Sequence, residues 1–116
     1  MIDHLQELQS VDDLNDALRE STTRPVLLFK HSLTCPISTR AFDELRSYLN
    51  NADPRISYKL ITVQTAPAVS DEAASRLQVR HQSPQAILVK HGAEIWHASH
   101  YDITASALEQ AIRNTA

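Results

Sequence analysis

The sequence predicts an α/β fold: a central mixed β-sheet of four to five strands, flanked by about four helices, in one domain over residues 1–116. Three observations predict it. Apolar runs near 26–29, 56–63 and 85–91 have the length and composition of buried strands. Segments with apolar residues at helical spacing separate them. The single glycine, Gly92, divides two strand-like runs and marks a hairpin.

The elements follow in order. A short first strand is compatible with the residues near Leu5. Ser10 followed by Asp13 resembles a capping box, and Val11, Leu14, Ala17 and Leu18 continue at helical spacing to about Glu20. The polar stretch from Ser21 to Pro25 ends that helix and leads into the strand at 26–29. Pro36, suited to a first helical position, opens a second helix to about Leu49, with Ala41, Phe42, Leu45, Tyr48 and Leu49 on one face. Residues 50–54 read as a loop and 56–63 as a strand. Pro67 opens a third helix carrying Val69, Ala73 and Leu77. Residues 85–91 and 94–98 form the hairpin around Gly92. Thr104 caps a last helix whose Leu108, Ala111 and Ile112 face inward.

Composition narrows the function. Hydrophobic residues make up 42% and charged residues 22% of the chain, as in ordinary soluble proteins. A net charge of −3 and a pI near 6.0 argue against nucleic acid as the main partner. No apolar run approaches the roughly 20 residues that span a bilayer, so no membrane partner is expected. The start of the chain has neither a basic nor an apolar leader region, and a cytoplasmic address is the expectation.

The chain has one cysteine, Cys35. It cannot make an internal disulfide or a multi-cysteine metal site, which leaves three roles: inert packing, a reactive nucleophile, or a ligand shared with another molecule. Cys35 falls between the first strong strand and the helix opened by Pro36, which makes it the N-cap. Its sulfur would then lie near the backbone N–H groups of Ile37 and Ser38 at the positive helix end. Such settings lower a thiol pKa from about 8.5 to roughly 3.5–7.5, and the thiolate is the nucleophile in exchange. Ser38 stands where a CxxC motif has its second thiol. A serine can hydrogen-bond to a thiolate but cannot resolve a mixed disulfide, so the cycle is monothiol.

Other residues flank this centre. His31 and Ser32 precede Cys35, where they are placed to tune its charge, hold a ligand carboxylate, or do neither. The Thr34 hydroxyl reaches the sulfur or solvent. Lys30 is placed to draw an anionic thiol at long range or else is a plain solvated edge charge, and Trp96 reads as a packing residue. Asp43, Glu44, Asp71 and Glu72 read as solvated helix faces. The six histidines show no tight ligand spacing, so no metal site is expected. Ser83-Pro84 precedes a strand, and the sequence alone does not select a cis bond there.

The segment FKHSLTCPIS at 29–38, followed by TRAFD at 39–43, resembles the active-site region of the YtxJ-like monothiol bacilliredoxins. HQSPQ at 81–85 and SHYDIT at 99–104 match further blocks of that family in the same order, and the likeness covers nearly the whole chain. Three positions depart from the family pattern. Gln78 stands where a helix-ending glycine would be comfortable, Gln82 replaces an acidic residue, and Tyr101 replaces a tryptophan. The resemblance implies a thioredoxin fold and thiol–disulfide oxidoreductase activity. Cys35 becomes the attacking thiol, supported by Thr34, Pro36, Ile37 and Ser38, with Ser38 in the resolving position. Pro84 becomes a cis-proline facing the thiol and the Ser83 backbone a pairing site for substrate, with His31 and Ser32 alongside. It implies no bound cofactor, bacillithiol or another small thiol as co-substrate, and S-thiolated cytosolic proteins as partners of a monomer or weak dimer. Two other functions compete: a non-catalytic thioredoxin-like adaptor, and an iron–sulfur module shared between two chains.

Overall fold

The computed structural model describes residues 4–115. Residues 1–3 and 116, on which the reading of a leaderless start and the outer domain limits partly rest, lie outside them. The order is β1 (Leu5–Glu7), α1 (Val11–Glu20), β2 (Val26–His31), α2 (Pro36–Leu49), β3 (Ser57–Thr62), α3 (Pro67–Leu77), β4 (Gln85–Lys90), β5 (Ala93–Ser99), a 3-10 turn (His100–Asp102) and α4 (Ala105–Thr115). The 3-10 turn was not expected from the sequence. The strands form one five-stranded mixed sheet in the order β1-β3-β2-β4-β5. β1, β3 and β2 run parallel, while β4 and β5 run antiparallel to their neighbours.

Side chains of the central strands alternate between two cores. Val26, Leu28, Ile61, Ile87 and Val89 pack under α1 and α3 with Leu14, Leu18, Val69 and Leu77. Leu27, Phe29, Tyr58, Ala86 and Leu88 pack under α2 and α4 with Leu45, Leu49, Leu108 and Ile112. Burying a side chain such as Phe29 contributes about 1.5–3 kcal/mol, and these two layers fix α2 against the sheet.

Local signals explain the junctions. Ser10 Oγ accepts from Asp13 N–H at 3.1 Å, while the Asp13 carboxylate takes the N–H of Gln9, one residue short of a full capping box. Gln78 ends α3 in the left-handed region (φ 56°, ψ 40°), the conformation for which glycine is best suited. His91 and Gly92, at φ 54° and 74°, form the two-residue hairpin turn, which requires positive φ at both positions. Buried Ser21 holds this turn, accepting from His91 N–H through its carbonyl and from Gly92 N–H through its hydroxyl. Trp96 packs half-buried against the α2/α4 core, as the sequence suggested. Glu44 does more than face solvent: its carboxylate accepts from Ala105 N–H at 2.8 Å and caps α4.

Candidate active site

The parallel topology gathers the site at one end of the sheet. β2 and β3 end side by side, His31 opposite Thr62, and β4 begins there with Gln85 opposite Lys30. Gln85 also pairs with Ser99 of β5. The chain segments at 31–38, 62–66, 81–85 and 99–101 therefore meet where α2 starts.

Cys35 is the N-cap of α2, half-buried in extended backbone (φ −106°, ψ 119°), with Pro36 following as the first helical residue. Its carbonyl accepts from Thr39 N–H at 3.1 Å. The sulfur takes no capping hydrogen bond, so the expected contact with the Ile37 and Ser38 amides is not a formed bond; a thiol is a weak acceptor.

Ser38 lies one turn on and is wholly buried. Its Oγ accepts from Ser32 N–H at 2.8 Å, which leaves the hydroxyl proton to donate to His31 Nδ1 at 2.9 Å. The serine is thus committed to the strand end rather than to the sulfur. The His31 ring stacks on Phe42, with centroids 4.8 Å apart and 27° between planes. Burial pushes its pKa below the ordinary histidine value and favours the neutral ring that accepts from Ser38.

A residue the sequence reading passed over ties this segment down. Gln64, in the loop after β3, accepts from Leu33 N–H at 3.0 Å through Oε1. Its Nε2 donates to Ser32 Oγ at 2.8 Å and to Thr34 Oγ1 at 3.3 Å. The Thr34 hydroxyl therefore accepts from Gln64 at an exposed position and makes no hydrogen bond to the sulfur, one of its two expected partners. No local pattern announces such a clasp between residues about 30 positions apart.

Lys30 is the larger correction. It is 0% exposed, because β2 is an interior strand with β3 and β4 on either side. Its Nζ donates to the Ser70 carbonyl at 3.0 Å and lies 3.2 Å from His81 Nδ1. Burial pushes this ammonium down to about 8, against an opposing pull from Asp71.

The Ser83–Pro84 peptide is cis, and Pro84 is buried. The Pro84 carbonyl accepts from His100 N–H at 3.2 Å, and His100 has φ 54°. The Ser83 hydroxyl is buried without a partner among the described residues. No hydrogen bond among them joins Ser83 or Pro84 to Cys35. Leu33 and Tyr101 are exposed on this end, and the Arg40 guanidinium lies 5.5 Å from the Tyr101 ring centroid. A groove of about 840 Å³ lies elsewhere, at the far end of α2 near Tyr48, Arg55 and Arg113.

Known proteins place this arrangement. A solved structure described as a candidate oxidoreductase with a thioredoxin fold is 33% identical, with a TM-score of 0.83 over 94% of each chain. The thioredoxin of Fasciola hepatica matches with a TM-score of 0.75 at 15% identity, covering 96% of this chain and 99% of that one. That of Trypanosoma brucei brucei matches at 0.76 and 14% identity, covering 99% and 93%. The protein has the thioredoxin fold, and its fold and lone N-cap cysteine define the class of thiol oxidoreductases. The family model for the monothiol bacilliredoxin BrxC matches residues 6–108, and the chain belongs to that family.

Proposed function

We propose that the protein removes bacillithiol, or a similar small thiol, from mixed disulfides on cytosolic proteins. The observation that carries this reading is the pair Cys35 and Ser38. The one thiol of the chain caps α2, and the next inward-facing position of that turn holds a buried, fully engaged serine. The Cys35 thiolate attacks the small-thiol sulfur of the mixed disulfide. The S–S bond of the mixed disulfide breaks, and its electron pair leaves on the substrate protein's sulfur as a thiolate, which takes up a proton. A second small thiol, acting as reductant, attacks the new Cys35 disulfide as its thiolate. This frees Cys35 and yields the oxidised small-thiol dimer, so one mixed disulfide and one thiol become one protein thiol and one small disulfide. In this reading the Ser83–Pro84 segment, joined by a cis peptide just ahead of β4, is the backbone on which a substrate strand pairs through its main chain.

The test is turnover of a bacillithiol-blocked protein by the chain and by its Cys35→Ala variant. Loss of turnover in the variant is expected; turnover retained without the thiol would refute the reading.

A further inference from the structure

Lys30 has no part in the exchange chemistry proposed above, yet it is buried completely in the middle of the sheet. Taking an ammonium out of water is costly unless its protons find acceptors. Those of Lys30 reach two neutral ones, the Ser70 carbonyl on α3 and His81 Nδ1 in the loop between α3 and β4. An apolar side chain of similar size avoids the desolvation cost, so stability alone is a poor account of the lysine.

The geometry says what the contact fixes. An ammonium cannot accept a hydrogen bond, so His81 Nδ1 must accept and the ring proton sits on Nε2. Ser70 Oγ lies 3.2 Å from the same nitrogen, so the ring is held between β2 and α3. The loop has little else to hold it. Among the described residues, 80–83 donate and accept no backbone–backbone hydrogen bond outside helices and strands, apart from a side-chain bond from Gln85 Nε2 to the Arg80 carbonyl. His81 is two residues ahead of Ser83.

We propose that Lys30 is a positioning residue for substrate docking: through His81 it holds the Ser83–Pro84 segment where an incoming strand pairs with it. This rests on the reading of that segment as the docking backbone. The charged and titratable groups facing Lys30 are His81 from the loop and Asp71 from α3. Burial and the nearby ammonium keep His81 neutral, as the acceptor role requires.

The experiment compares the full chain with Lys30→Met, His81→Ala and the double variant, using a model protein carrying a glutathione or bacillithiol mixed disulfide. Each single variant is expected to raise KM about tenfold, with kcat and the alkylation rate of Cys35 within about twofold of the parent. The double variant is expected to be no worse than either single one, because both remove the same contact. Backbone order parameters across residues 80–83 are expected to fall in both, whether or not the substrate is turned over. His81→Ala alters an exposed loop residue and keeps the test open should Lys30→Met not fold. Unchanged KM and unchanged order parameters in His81→Ala overturn the proposal, as does a double variant whose losses add. Failure of the underlying thiol reading shows separately, as turnover that survives Cys35→Ala.

Discussion

The Ser38 hydroxyl meets the His31 ring at 2.9 Å, joining the first turn of α2 to the last residue of β2. In a dithiol protein the same inward position carries the resolving sulfur. Here it carries a hydrogen-bonded strut, anchored further by the Ser32 N–H at 2.8 Å.

Removing that strut is expected to cost stability more than chemistry. Ser38→Ala leaves a buried Ser32 N–H without its acceptor, a loss of about 1–3 kcal/mol. Denaturant unfolding should show the loss, while de-thiolation at saturating substrate stays within about threefold of the parent. A collapse of turnover in a folded variant would assign the serine a catalytic role.

Acid should weaken the same junction. Burial lowers the folded-state pKa of His31 below that of the unfolded chain. The unfolded state therefore binds its proton first, and stability falls as pH drops through the histidine range. Protonation also removes the Nδ1 acceptor that Ser38 uses. Unfolding midpoints taken from pH 7.5 down to pH 5 should decline, with a smaller decline in His31→Phe, which keeps the stacking on Phe42. Equal slopes for the two proteins would contradict this account.

Gln64 should matter out of proportion to its exposure. Gln64→Ala frees the Leu33 N–H and the Thr34 hydroxyl, both at exposed residues, and the hydroxyl of buried Ser32, so the stability loss should be about 1 kcal/mol. The segment leading into Cys35 loses its clasp, and kcat/KM is expected to drop about three- to tenfold. Gln64→Glu keeps the acceptor for Leu33 but not the donors, and should fall between the two in steady-state assays.

Gln78→Gly is expected to stabilise the fold. Gln78 holds a left-handed conformation that its Cβ disfavours by about 1–2 kcal/mol. Glycine relieves this at the cost of greater freedom in the unfolded chain and of the exposed bond from Gln78 Nε2 to the Ser75 carbonyl. A net gain of about 0.5–1 kcal/mol in unfolding free energy is the expected result.

What was legible in the sequence was local. Pro36 after an apolar strand placed Cys35 at a helix cap, the helical spacing of Leu14, Ala17 and Leu18 located α1, and Gly92 located the hairpin. Gln78 stood out because a helix was ending there. Lys30 was misread because whether a strand lies at an edge is decided by sheet order, which neighbouring residues do not encode. Gln64 was missed and Glu44 read only as a solvated face for a related reason, since their partners lie about 30 and 61 positions away. The short 3-10 turn at His100–Asp102 carries no apolar period to announce it.

The lone thiol at Cys35 also decides how oxidation of this protein registers. A paired motif closes on itself and loses two hydrogens, so its midpoint potential belongs to the protein alone. Here every disulfide joins Cys35 to a second molecule, so oxidation adds that molecule's mass to the chain. The half-oxidised point then shifts with the concentration of the joining thiol, and the occupancy of one side chain records the state of the surrounding thiol pool.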